Sequence, residues 1–193
     1  MSRRAVLTIG HSTHPIAEFI ALLEAHGVDM LVDIRTVPRS RHNPQFNRDA
    51  LPASLAGAEI RYAAMPGLGG LRHPRPDSPN TAWRNASFRG YADYMQTAEF
   101  RENLDKLIEL SRETQTAIMC AEALPWRCHR SLVADALVVR GIPVNHIMTA
   151  NSAQEHKLTG FARVSGTHIV YDGKVTSRPP KPASSTPAHR APA

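Results

Sequence analysis

Residues 116–147 read TAIMCAEALPWRCHRSLVADALVVRGIPVNHI, and they decide the fold class. Thr116–Cys120 is a short apolar run, the pattern of a strand buried on both faces. A polar loop follows. Cys128–Arg140 then places Leu132, Val133, Ala136 and Leu137 at helical spacing, with Gly141 just beyond the end. Pro143–Ile147 is a second apolar run. Strand, helix and strand in that order form a crossover unit, and such units build parallel sheets.

Working outward, the same alternation recurs. Val6–Ile9 reads as a strand that ends at Gly10-His-Ser-Thr-His14. Pro15 fits the first turn of a helix carrying Ile16, Phe19, Ile20 and Leu23, with Gly27 as its C-cap. Met30–Ile34 is a second buried strand, Asp49–Leu55 a short helix and Ile60–Met65 another strand. Pro66 to about Ser87 is irregular and rich in Gly, Pro and Arg, and loops this long are usually functional or mobile. Two helical patterns follow, the second carrying Phe100, Leu104, Leu107 and Ile108 after Thr97. Thr167–Tyr171 and Lys174–Thr176 around Asp172-Gly173 predict a C-terminal hairpin. The expectation is an α/β protein with a mainly parallel sheet flanked by helices and a small C-terminal hairpin. One domain covers residues 1–177, and 178–193, with five prolines, form a disordered tail.

Bulk properties narrow the function. The 193 residues are 42% hydrophobic, which suits one packed domain. No apolar run approaches the roughly 20 residues of a membrane span. No signal-peptide pattern opens the chain, so a cytoplasmic protein without membrane partners is expected. Of the net charge of +6, Lys174, Arg178, Lys181 and Arg190 contribute +4, leaving +2 for the body. The charge therefore does not by itself indicate nucleic-acid binding. Two cysteines are too few for a disulfide framework.

Ligands of open parallel sheets bind beyond the carboxyl ends of the strands. There the sequence sets His11, Ser12 and Thr13, then Arg35 to Arg48 with four arginines and no acid, then Gly67–Gly70 and Arg72, then Cys120–Arg130. The arginine loop is either a solvated surface or an anion clamp, since guanidinium forks match phosphate and carboxylate. Cys128 is expected to begin a helix, where the dipole together with Arg127 and Arg130 favours thiolate. Cys120 ends an apolar strand and is either a packing residue or a second reactive thiol. Glu122 either orients His129 and carries protons or pairs with an arginine. Asp33, inside an apolar strand, needs a partner and is either a brace or a site acid.

Three sharper templates fit poorly. A phosphatase loop needs Cys-x5-Arg, whereas six residues including Pro125 separate Cys120 from Arg127. Zinc could draw on Cys120, Cys128, His129 and His11, but at no usual ligand spacing. Cys-x7-Cys lacks the close spacing of dithiol motifs. No metal or cofactor is expected.

At these residues the chain resembles a known family. The pieces Thr8-Ile-Gly-His-Ser12, Val32-Asp-Ile-Arg35 with Pro38 and Ser40, Pro44-x-Phe46-Asn47, Leu68-Gly-Gly70, and Cys120-Ala-Glu122 with Pro125 and Cys128-His-Arg130 are similar to those of domain-of-unknown-function family 488. They run in order over roughly residues 5–150. The resemblance implies a three-layer α/β fold with His11, Ser12, Asp33, Arg35, Cys120, Glu122, Cys128, His129 and Arg130 around one cleft. It implies no activity.

The resulting expectation is a thiol-dependent hydrolase or transferase acting on an anionic, phosphate-bearing molecule, a nucleotide or nucleic-acid end. Cys120, Glu122, Cys128 and His129 would do the chemistry, and either cysteine could be the nucleophile. His11, Ser12, Arg35, Ser40, Arg127 and Arg130 would bind the substrate. The alternative is a non-catalytic nucleotide- or nucleic-acid-binding module, with Tyr62, Trp83, Phe88, Tyr91, Tyr94 and Trp126 as stacking groups. Nothing in the sequence indicates an oligomeric state.

Overall fold

The computed structural model describes residues 4–173. Five strands pair in parallel: β1 (Val6–Gly10), β2 (Met30–Asp33), β3 (Arg61–Ala64), β4 (Thr116–Cys120) and β5 (Val144–Thr149). A sixth, β6 (Ser152–Glu155), adds antiparallel to β5 at the edge. The order is β3-β2-β4-β1-β5-β6.

Alternate side chains of β1, β2 and β4 enter two separate cores, as a period of two requires. Leu7, Ile9, Leu31, Ala117 and Met119 pack with Phe19 and Leu23 of α1 (Ile16–Ala25) and Leu51 and Leu55 of α2 (Leu51–Ala56). Val6, Val32, Ile118 and Cys120 pack on the opposite face. There they meet Tyr91 of α3 (Ala86–Tyr94), Phe100, Leu104 and Leu107 of α4 (Ala98–Glu113), and Leu132 and Val133 of α5 (Arg130–Val139). The result is the expected three layers. Local capping sets the helix starts. Asn85 accepts from Ser87 N–H at 2.8 Å, and Thr97 accepts from Phe100 N–H at 3.2 Å. Gly27, at φ +62°, lets the chain leave α1.

The connections position the site. From β1 the chain passes through α1 to β2, on one side of the sheet. From the adjacent β4 it passes through α5 to β5, on the other side. The loops leaving β1 and β4 therefore part in opposite directions and open a crevice between them. The ladder continues past the strand ends, with His11 N–H bonded to Cys120 O and Ser12 N–H to Ala121 O, both at 3.0 Å. Gly10 has no alternative there: a Cβ would fall 1.8 Å from Glu122 O.

Four elements differ from the sequence reading. α5 starts at Arg130, with His129 as N-cap, so Cys128 precedes the helix and does not begin it. Pro125–Arg127 forms a separate helical turn and ends the loop differently. The edge strand β6 was not anticipated, because all four of its residues are exposed and carry no apolar pattern. The hairpin forms one strand earlier than predicted, pairing β7 (Arg163–Ser165) with β8 (His168–Val170). Gly166, at φ +60°, supplies the turn. Asp172 instead forms an ion pair with Arg163. The predicted strand at 174–176 and the tail at 178–193 lie outside the described residues.

The segment before and after the hairpin is tied to α5. Buried Asp135 accepts from Tyr171 OH at 2.8 Å and from Thr159 N–H at 3.0 Å, and bonds His156 Nε2 at 2.8 Å. His156 in turn bonds His146, which bonds Thr8. Among the described residues no helix is long and apolar enough to cross a membrane.

Candidate active site

The crevice holds a cleft of about 480 Å³ with Cys120, Cys128, His129, Glu122, Arg127 and Arg35 in its lining. A second cavity of about 350 Å³ adjoins it, lined by His11, Ser12, Arg39, Ser40 and Asn43 among others. Arg35, Val37 and Ala121 line both.

Cys120 ends β4 and points into the α3/α4/α5 core face, 1% exposed. Arg130, first residue of α5, is also 1% exposed and folds back beneath the loop. Its Nη1 donates to Cys120 Sγ at 2.7 Å and to Glu122 O, and its Nη2 donates to Ala123 O at 2.7 Å. Among the described residues, no carboxylate forms an ion pair with it. A buried guanidinium requires a counter-charge. The sulfur of Cys120 is the group placed to supply it. Burial pushes the Cys120 thiol up, but the hydrogen bond from Cys128 and the positive charge of Arg130 outweigh that effect. Its pKa falls from an ordinary 9.0 to about 7.

Cys128 behaves oppositely. Its sulfur lies 2.6 Å from that of Cys120 and donates to it. Holding that proton against Cys120, and burial next, push the Cys128 thiol far up. The sequence reading favoured Cys128 as thiolate. The later helix start and the direction of Arg130 transfer that character to Cys120.

His129 is fixed by the backbone, not by Glu122. Its Nε2 faces Ile34 O at 3.3 Å, and a carbonyl only accepts, so Nε2 carries the proton. Nδ1 is then a bare acceptor, 3.5 Å from Cys128 Sγ. Burial, the main cause, lowers the pKa of His129 to about 4 and keeps the ring neutral. Gly70 makes room for it, since a Cβ there would sit 2.4 Å from Nδ1. Tyr91 packs against the ring, centroids 5.0 Å apart. Glu122 is exposed at the cleft.

At the end of β2, Asp33 is a brace. Its Oδ1 accepts from Arg35 N–H at 3.0 Å and Nε at 2.9 Å, and its Oδ2 accepts from Arg35 Nη2 at 2.6 Å and Tyr62 OH at 2.9 Å. Arg35 also donates to Phe46 O at 2.7 Å and to His11 Nε2 at 3.1 Å. His11 then donates from Nδ1 to Ser12 O and stacks on Phe46. Burial foremost lowers the His11 pKa to about 4. Ser40 shapes its own loop, accepting from Asn43 N–H through Oγ. Ser12 has a left-handed backbone, φ +45°, a conformation that collects at functional sites.

The structure thus brings together all ten sequence-derived site residues in two adjoining cavities or directly beneath them. It divides their roles. The guanidinium groups of Arg35 and Arg130 are occupied within the protein, while Arg127 is exposed at the cleft. Arg39, in the second cavity, was visible in the arginine loop but not singled out. Thr36, against which Gly69 packs, had no sequence signal. Tyr91 and Tyr94 are buried, with hydroxyls on Leu68 O and Gly67 O, and Trp83 packs with Phe88, Phe161 and Tyr171. Trp126 is 57% exposed. Among the described residues no three His, Cys, Asp or Glu side chains converge as metal ligands.

A family model described as domain of unknown function DUF488 matches residues 15–137. The match takes in the second-strand, Leu-Gly-Gly and Cys120–Arg130 pieces and begins after His11 and Ser12. No curated protein matches the chain, and no solved structure does.

Proposed function

The chain belongs to the DUF488 family, and from its site we propose that it is a thiol-dependent enzyme, a hydrolase or transferase, acting on an anionic, phosphate-bearing small molecule with Cys120 as nucleophile. One observation carries this reading: among the described residues, buried Arg130 has the sulfur of Cys120, 2.7 Å away, as its only placed counter-charge. A thiolate is the reactive form of cysteine, and one with a pKa near ambient pH is both populated and nucleophilic.

The surroundings suit such a step. The sulfur attacks an electrophilic centre bound in the cleft and forms a covalent intermediate. Glu122, exposed at the cleft, is available to carry a proton to the leaving group or from the incoming water or acceptor. Arg127 at the cleft and Arg39 in the adjoining cavity offer guanidinium groups for the anion.

The test is alkylation by iodoacetamide followed residue by residue across pH, with a turnover screen of phosphate-bearing compounds on wild type and Cys120→Ser. Labelling of Cys120 with a midpoint near 7, and turnover that Cys120→Ser abolishes, are expected. Nucleotide binding that weakens steeply with salt, with no turnover and no effect of Cys120→Ser, would replace this reading with the binding module.

A further inference from the structure

The nucleophile role uses one sulfur and leaves the second unexplained. Cys128 Sγ lies 2.6 Å from Cys120 Sγ, inside ordinary non-bonded contact, and a movement of about half an ångström reaches the S–S bond length of about 2.0 Å. The two sulfurs have different supports. Arg130 contacts Cys120, whereas the bare Nδ1 of His129 stands 3.5 Å from Cys128. Thiol–disulfide exchange needs that asymmetry: one sulfur already ionised to attack, and a second that gives up its proton when its turn comes. Both sulfurs line the cleft, yet they are only 1% and 5% exposed. A bulky protein disulfide does not reach them, whereas a cleft of about 480 Å³ is of small-molecule size. Arg127 at the same cleft favours a negatively charged one.

We propose that Cys120 and Cys128 form a dithiol–disulfide couple that reduces an anionic small-molecule disulfide. This rests on the Cys120 thiolate of the proposed function and adds Cys128 as a second reacting sulfur. Cys120 Sγ attacks one sulfur of R–S–S–R′. A Cys120–S–S–R bond forms, the substrate S–S bond breaks, and R′–S⁻ leaves to take a proton from solvent. Cys128 then attacks Cys120 Sγ. The Cys120–Cys128 bond forms, the bond from Cys120 to the substrate sulfur breaks, and R–S⁻ leaves with the proton that Cys128 gives up. The substrate disulfide gains two electrons and becomes two thiols, and the protein dithiol loses two. An external thiol reductant returns the pair by the reverse exchange.

Oxidised glutathione, small and anionic, is the probe. The reduced full-length protein is treated at about pH 7, below the ordinary cysteine pKa of about 8.5, quenched in acid and weighed intact. Wild type should lose two hydrogens, keep no adduct and release both glutathione halves, with dithiothreitol restoring it. Cys128→Ser, and in parallel Cys128→Ala, should stop with one glutathione on Cys120. A stable glutathione adduct on wild type, or a first adduct on Cys128, overturns the couple. If wild type stays reduced while Cys120 alkylates rapidly at the same pH, the couple fails and the thiolate stands. If Cys120 alkylates only at high pH, both fail.

Discussion

Two buried arginines close the loops after neighbouring strands β2 and β4, and they are neutralised differently. Arg35 meets a carboxylate: Asp33 takes three of its N–H groups, counting the backbone, and Phe46 O and His11 take others. Arg130 meets a thiol and two backbone carbonyls, and its Nε has no partner. A carboxylate in water is ionised at neutral pH without help from a cation. A thiol is not, so the same buried positive charge that only braces the first loop changes the chemistry of the second. Burial of a charged side chain is thus not itself a mark of function. The mark is a counter-charge that the cation must call into being.

The comparison can be broken or sharpened by four experiments. The largest loss of stability is expected from Arg35→Ala, about 3–5 kcal/mol in denaturant unfolding, because Asp33 is left buried without its partner. The midpoint of Cys120 alkylation should stay near 7 in that variant. A shift toward the ordinary range would show that the two loops are not independent.

Cys120→Ser should cost about 2–3 kcal/mol more at pH 9 than below pH 7, from the two-unit lowering of the Cys120 pKa. The sign follows from proton counting. In the folded state Cys120 loses its proton near 7, in the unfolded state near 9, so the unfolded chain binds more protons between them. Its contribution is fully present above the unfolded value and is lost as pH falls through 7. Parallel wild-type and variant stabilities across pH would remove Arg130 as the cause of thiolate formation.

Arg130→Met should destabilise less than Arg35→Ala, by about 1–3 kcal/mol, since the thiol can take a proton and the main loss is hydrogen bonds to Glu122 O and Ala123 O. The Cys120 alkylation midpoint should rise toward the ordinary value of about 8.5 or beyond. Gly70→Ala is the mildest, about 1–2 kcal/mol by thermal unfolding, as the new methyl pushes on His129. It should slow release of the second glutathione half while leaving the Cys120 midpoint in place.

Much of the fold was legible because burial writes itself into hydrophobic pattern. β1, β2 and β4 are buried on both faces and read as apolar runs. The Phe100–Ile108 stripe marked α4, and Thr97 marked its start. β6 was illegible for the same reason in reverse: Ser152–Glu155 is held by backbone pairing to β5 alone and buries no side chain. In the site, residue types and their gathering at the strand ends were legible. Their roles were not, since Glu122 and His129 are seven residues apart yet do not touch, while Ile34 and His129 meet across 95 positions.

The sequence by itself determined an α/β chain with thiols, imidazoles and guanidinium groups after its strands, because periodicity and the strand-end rule depend only on order along the chain. Tertiary structure alone decided which cysteine carries charge. That choice depends on where Arg130 turns its guanidinium, and on a distance of 2.7 Å to Cys120 Sγ through space. Electrostatic work is set by such distances and by burial, and spacing in sequence records neither.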